Sequence, residues 1–382
     1  MNAPLIQPVE AIGPAQQLAN ACEATLLTDA YGPQVLPSPA FTPTALVSGW
    51  VAPIADLGLL RVEGEDAIRF LHAQLTNDLE GLADGTLQLT GYCSAKGRLL
   101  ATFLCWRDGD AVLLLASQPL LAGLRKRLSM FVLRAKARIL DASDSWCCFG
   151  VGGVGAHAAI ARLDCAWPSP MLVSRAVNVT ALGMPAVDIA NGAETDATQS
   201  HSTAGAMPAV SGPSASATQI DRALVLCPAT EATRVWRTLS SGLHPAPSRV
   251  WRLTEILAGT PRIVAAGVEH FVPQMVNLDR VEGVSFRKGC YPGQEIVARS
   301  HYLGKLKRRM FLAWVDGDEP APGTDVFGSE GAEPIGELVM AAPTPSGRIC
   351  LLFESQIAAA QSARFADGRA LTILPLPYPV GG

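Results

Sequence analysis

The nine residues Arg287-Lys288-Gly289-Cys290-Tyr291-Pro292-Gly293-Gln294-Glu295 constrain this chain more than any other stretch. Two glycines and a proline in so short a span specify a shaped loop, with backbone angles that bulkier residues do not take. A strand-like run containing Val284 and Phe286 leads into it, and a helix-like run over 296–302 leads out. Pro292 suits a first helical turn, Glu295 complements the positive end of the helix dipole, and Gly304 suits the stop. Cys290 then lies near a helix N-terminus beside Arg287 and Lys288, surroundings that favour thiolate over thiol. A small buried cysteine in a tight turn is the commoner fate of such a residue. A structural turn, however, does not need two cations, a thiol and a carboxylate, so Cys290 is read as a functional thiol.

A chain of 382 residues is too long for one ordinary core. With 49% hydrophobic and 17% charged residues it is globular, and its net charge of -4 does not mark a general nucleic-acid binder. No apolar run of about 18 residues reads as a transmembrane helix. The first cation is Arg61, so the N-terminus resembles neither a secretory signal nor an Arg-rich presequence. A reducing, cytoplasmic location is expected. The nine cysteines include no C-x-x-C pair and no Cys/His cluster of metal-binding spacing, so no metal site is expected. Most read as small core residues. Cys147 and Cys148 fall in a strand-like run, where neighbours point to opposite faces.

Periodicity divides the chain into five parts. Residues 1–45 are rich in Pro and Ala and read as a loose arm with one short helix over 15–25. Residues 46–144 read as a first α+β unit: strand 56–62, a helix from Ala67, strands 87–93, 99–106 and 111–116, helix 120–130 and strand 137–140. Residues 145–245 read as a second unit with strands 146–151, 171–177, 185–189 and 220–226 and helices 156–163 and 229–240. It is interrupted by a segment, 191–219, too poor in aromatic and basic residues to bury a core. Residues 246–305 hold a helix over 251–257 and the opening motif, and 306–382 read as short strands with Gly/Pro turns, a small β-barrel or sandwich. The spacing Gly150-x-Gly152-x-x-Gly155 matches a dinucleotide fingerprint but lacks the acidic residue about 20 positions on, so it is read as a glycine turn.

Residues 287–309 carry seven Lys/Arg against one acid, Glu295, which is +6 within a chain of -4. Such a field attracts an anion, although cations at a helix C-terminus also serve its dipole. Trp251 can stack on a flat heterocycle or simply fill the core. Gln74, Asn77 and Asp78 can read a polar ring edge or cap a helix.

The run from Lys288 to Glu295, continuing Ile296-Val297-Ala298-Arg299, resembles the K-G-C-Y-x-G-Q-E motif of the YgfZ family, folate-binding proteins implicated in iron–sulfur cluster assembly and related to the glycine-cleavage aminomethyltransferase. Phe271-Val272-Pro273-Gln274 with Asn277-Leu278, Ala258-Gly259-Thr260-Pro261, Phe70-Leu71 with Thr76-Asn77-Asp78, Lys96-Gly97-Arg98 and Leu374-Pro375-Leu376-Pro377-Tyr378 look like family positions in order, so the resemblance spans roughly 50–378. It implies an α+β, aminomethyltransferase-like folate-binding fold: two related α+β units plus a C-terminal small β-barrel around a central cavity. It implies tetrahydrofolate or another folate as cofactor, held by Trp251, Lys288, Tyr291, Gln294, Glu295 and Arg299, with Cys290 as the functional thiol. Where the family has a second tryptophan, this chain has Leu57.

The aminomethyltransferases carry an acidic pair after the glycine that aligns with Gly97. Here the run is Arg98-Leu99-Leu100-Ala101-Thr102, with no carboxylate to polarise a folate nitrogen. That argues against aminomethyl transfer. The leading expectation is a folate-binding accessory protein for assembly or repair of iron–sulfur clusters, tRNA-modifying enzymes among its clients, with folate and iron–sulfur client or assembly proteins as partners and no membrane. A one-carbon transferase is the alternative and would need Asp78 or Glu295 as replacement acid. An RNA-binding module on 287–309 ranks last, since only Tyr291 and Tyr302 interleave with the cations, and no stable nucleic-acid complex is expected.

Overall fold

The computed structural model describes residues 13–38, 41–189, 219–302, 306–329 and 333–380. Its architecture is an internal repeat. The first copy runs strand Leu57–Glu63, helix Ala67–His72, a meander of Leu87–Cys93, Leu99–Asp108 and Ala111–Ser117, helix Leu121–Val132 and strand Arg138–Asp141. The strands form one antiparallel sheet, with Leu57–Glu63 between Ala111–Ser117 and Arg138–Asp141. The second copy repeats this order: strand Trp146–Gly152, helix Ala156–Ala161, a meander of Val173–Ala176, Val179–Asp188 and Gln219–Pro228, helix Ala232–Ser240 and strand His244–Pro245. The α+β class and the two related units read from the sequence are present.

One strand breaks the equivalence. Trp50–Pro53, which precedes the first copy in the chain, inserts into the second sheet, antiparallel to Trp146–Gly152 and parallel to His244–Pro245. A boundary at residue 46 therefore gives the first unit a strand that completes the second. This sheet is buried on both faces. Trp50, Ala52, Cys148, Leu224 and Leu226 pack into the central core, while Val51, Cys147, Phe149, Val225 and Cys227 pack into the outer one. Cys147 and Cys148 thus take opposite faces, as strand alternation requires. The glycines at 150 and 152 face the central core. A Cβ at Gly150 would sit 2.6 Å from the Trp251 ring, and one at Gly152 would sit 2.7 Å from the Trp50 ring. They make room for two indoles, and no nucleotide turn is needed to explain them.

The reading of 1–45 as a loose arm is corrected for the described part. Residues 14–36 form helix Pro14–Ala21 and the hairpin Thr25–Asp29/Gly32–Leu36. Leu18, Ala19, Cys22 and Val35 are buried in the outer core. Tyr31 lies under the Arg252 guanidinium at 3.6 Å, and its hydroxyl accepts a hydrogen bond from Ala341 N at 2.5 Å. Arg252 also pairs with Asp29 and Glu319 at 3.2 and 3.0 Å. Tertiary contacts order a segment whose own helix is too short to persist alone. The expected insertion at 191–219 lies outside the described residues, apart from Gln219, which opens a strand.

The C-terminal strands Arg308–Val315, Asp325–Phe327, Pro334–Pro343, Ile349–Gln356 and Thr372–Leu374 form a five-stranded antiparallel sheet with its own core of Ala313, Val326, Leu351, Phe353 and Phe365. Two buried cations join it and the first unit to the connecting segment. Arg309 is bidentate to Asp279 at 2.6 and 3.1 Å, and Arg262 lies between Asp56 at 2.9 Å and Glu255 at 3.2 Å.

Candidate functional site: an anchored thiol loop and a central cavity

The motif loop is fixed by its own residues. Lys288 turns inward, 9% exposed, and its ammonium donates to the carbonyls of His72 and, at 2.8 Å, of Leu75. These carbonyls lie at the end of helix Ala67–His72 and just past it, where the last carbonyls lack partners within the helix. Gly293 takes φ +77°, and a Cβ there would lie 2.5 Å from the backbone of Gly97 and from Ser94 O. Two chain segments thus meet glycine on glycine. The helix begins at Gln294, later than Pro292 would permit, because the left-handed angle at Gly293 interrupts helical geometry. Gln274 donates from Nε2 to Val297 O at 2.7 Å and pins the helix to the connecting segment.

Burial drives the Lys288 pKa down from 10.5 to about 8. A base whose folded pKa is depressed binds fewer protons in the folded than in the unfolded chain between those two values. By linkage, its contribution to stability therefore improves as pH rises through that window. Relative to Lys288→Met, the wild type should gain about 1–2 kcal/mol between pH 8 and 10.5 in paired urea titrations. A constant difference between the two proteins would refute the buried-ammonium picture.

The loop presents the thiol outward. Cys290 is exposed, and the other eight cysteines are buried. Burial pushes several of those up, Cys93, Cys105 and Cys350 to about 12, so they stay protonated. Beside the loop stands a pair that the sequence reading missed. His72 Nδ1 lies 3.2 Å from Asp78 Oδ1, and a Cβ at Gly289 would be 3.8 Å from His72 Nε2. Asp78 was legible as part of a polar knot, but nothing in the sequence joined it to His72 and the thiol loop.

The other predicted site residues divide. Tyr291 is buried, with Lys288 Nζ 4.8 Å from its ring centre. Gln294 is half-buried, and Glu295 and Arg299 are exposed along the motif helix. These four share the loop and helix with Cys290 and Lys288. Trp251 does not: it is 1% exposed, tilted at 6.4 Å to Trp50, with Arg222 5.1 Å from its ring. The expectation of an indole open to a heterocycle is corrected, because Gly150 seats that ring in the core.

A cavity of about 400 Å³ opens where the parts converge. Leu89 and Leu104 of the first sheet, Met184 of the second, Thr260 and Arg280 of the connecting segment and Tyr378 of the tail all contribute to its wall. None of Trp251, Lys288, Tyr291, Gln294, Glu295 and Arg299 lines it. Tyr378 is held by a 2.5 Å hydrogen bond to Gly259 O. The wall residues Arg280, Val281 and Glu282 lead directly into the thiol loop. Asn77 braces that wall by donating to Glu282 O at 2.6 Å, and Thr76 by donating to Gly283 O at 2.7 Å. Neither Asp78 nor Glu295 reaches the cavity wall, and Glu282 is the carboxylate that does. After Gly97, Leu99, Leu100 and Ala101 are core residues, and the Thr102 hydroxyl accepts from Ile263 N at 3.1 Å.

No protein-family model matches the chain. Among solved structures, the glycine cleavage aminomethyltransferase T of Bartonella henselae superposes with a TM-score of 0.64 over 95% of this chain and 96% of its own, at 15% identity. That establishes the fold. A tRNA-modifying protein YgfZ from Colwellia psychrerythraea is 28% identical over 72% of this chain and 74% of its own length. One from Edwardsiella ictaluri is 33% identical over 261 residues, 68% of each. The chain belongs to the YgfZ family.

The segments that look YgfZ-like are scattered in sequence and meet in space. Gly97 packs on Gly293, Gln274 holds Val297, Thr76 and Asn77 brace the segment leading into the motif, and Tyr378 caps the turn at Gly259. The motif run thus takes two of these contacts, at Gly293 and Val297, as well as bearing the exposed thiol.

Proposed function

We propose that this YgfZ-family chain is a tetrahydrofolate-binding accessory protein for assembly or repair of iron–sulfur clusters in client enzymes, tRNA-modifying enzymes among them, working in the cytoplasm. The observation that carries this is the partition of the cysteines: eight are buried, and the ninth is held outward on a glycine-clamped loop. A thiol so placed can meet a partner's cluster. Folding alone would not require its exposure. The relatives' name, tRNA-modifying protein, agrees with clients of that kind. No helix among the described residues is long and apolar enough to cross a membrane.

The cavity suits a folate. Its volume falls in the range of small-ligand sites, the side chains of Leu104, Met171 and Met184 offer apolar faces to a flat pterin, and Thr260 and Tyr378 offer polar edges. Arg280 is a cation at the wall for the glutamate carboxylates. Bound tetrahydrofolate would supply a carrier of one-carbon units. The chain's own part is to orient the ring and to couple the wall at 280–282 to the thiol loop. Glu282 at the wall is the observation that keeps a one-carbon transferase as the second reading, and turnover of a methylamine donor with folate would favour it.

Calorimetric titration with tetrahydrofolate should give saturable binding, and Ala186→Phe, which fills the cavity, should weaken it about tenfold or more. Absence of binding at high micromolar folate would remove the ligand from the proposal. Unchanged binding by Ala186→Phe would place it elsewhere.

A further inference from the structure

The C-terminal turn of the motif helix carries a surface that neither the cavity nor the thiol uses. Phe286, four residues before Cys290, stacks on His301 with centroids 3.7 Å apart and planes 15° apart. Tyr302 meets both rings edge-on, at 6.3 and 4.9 Å. Tyr302 is 67% exposed and His301 is exposed, so this three-ring cluster faces solvent. Cations flank it in the chain. Arg287 follows Phe286, Arg299 precedes Tyr302 by one helical turn, and Lys307 follows the helix; all three are exposed. Among the described residues none of the three forms an ion pair, whereas the neighbouring Arg308 and Arg309 are engaged with Glu354 and Asp279. Free cations beside exposed rings complement a chain of phosphates and unpaired bases.

We propose that this face docks single-stranded RNA, with His301 and Tyr302 stacking unpaired bases and Arg287, Arg299 and Lys307 taking the phosphates. In sequence, only Tyr291 and Tyr302 interleave with these cations. The fold adds to these rings by bringing Phe286 onto His301 across the loop. The rest of the chain is acidic, so its field would confine an RNA strand to this face, beside Cys290. An acidic protein segment would satisfy the cations but leave the rings unused. The proposal goes beyond the folate and thiol reading, and binding can be measured without either.

The test is fluorescence anisotropy of a labelled oligouridine of about ten nucleotides with the full chain, free of folate, across a salt series. Saturable binding is expected, with log affinity falling linearly in log salt. Tyr302→Ala should weaken it roughly tenfold or more, Tyr302→Phe should restore it, and the Arg287→Gln/Arg299→Gln pair should reduce the salt slope by about 1.4. Arg125→Gln, an exposed cation on helix Leu121–Val132, should change nothing. Because Tyr302 is exposed, its variants should unfold at the wild-type midpoint. Absence of saturable binding at low salt, equal affinity of Tyr302→Ala and wild type, or displacement by polyglutamate as effective as by unlabelled RNA would each overturn the proposal. A folate titration that succeeds while RNA fails would leave the function proposed above standing.

Discussion

Cys290→Ala is expected to reduce iron–sulfur enzyme activities, in a strain lacking its own YgfZ-family protein, to the level seen with no protein supplied. The thiol is exposed on a loop held by other residues, so the substitution should shift folding stability by no more than about 0.5 kcal/mol. Loss of activity with stability intact is the signature of a chemical role. Cys105→Ala gives the opposite pattern, since that side chain is fully buried: stability falls and the exposed thiol remains. Full rescue by Cys290→Ala would reduce the thiol to a loop residue and remove the main support for the proposed function.

Gly293→Ala is expected to destabilise the protein by about 3 kcal/mol or more. Two costs add. The residue holds φ +77°, which an L side chain adopts only under strain, and the new methyl would lie 2.5 Å from the Gly97 and Ser94 backbones. Neither neighbour is a flexible side-chain tip that can swing aside. Gly289→Ala in the same motif is the internal control: its nearest neighbour is His72 Nε2 at 3.8 Å, so a change within about 0.5 kcal/mol is expected. Chemical denaturation of the two variants separates glycine required by geometry from glycine that is merely present. Equal effects would show that the contact at Gly97 does not hold the loop.

The sequence was most informative where local pattern decides structure. Alternation in 146–151 placed Cys147 and Cys148 on opposite faces, and the first unit's meander lies where its apolar runs put it, whereas the second unit's long strand Val179–Asp188 was read only as 185–189. The thiol loop was legible because glycine, proline and charge cluster there for a backbone reason. What escaped depends on distant partners. Four residues at 50–53 give no sign of a partner strand about a hundred positions later. The cavity draws on eight separate stretches of chain, so Met184, Arg280 and Tyr378 are individually ordinary. Trp251 was left open between a ligand face and the core, because an indole suits both. Its environment was written instead at Gly150, as a missing side chain.

The inserted strand Trp50–Pro53 also sets a timetable. The first unit closes on residues 57–141 and can pair its strands as soon as they are made. Trp50 and Val51 must wait for Trp146–Gly152, roughly a hundred residues later, which at ribosomal speeds is about 5–20 s. Throughout that interval an apolar strand with unpaired edges trails behind a finished sheet, the state most open to wrong pairing. Synthesis therefore passes through a state in which Trp50–Pro53, made before the first sheet, is secured only after that sheet is complete.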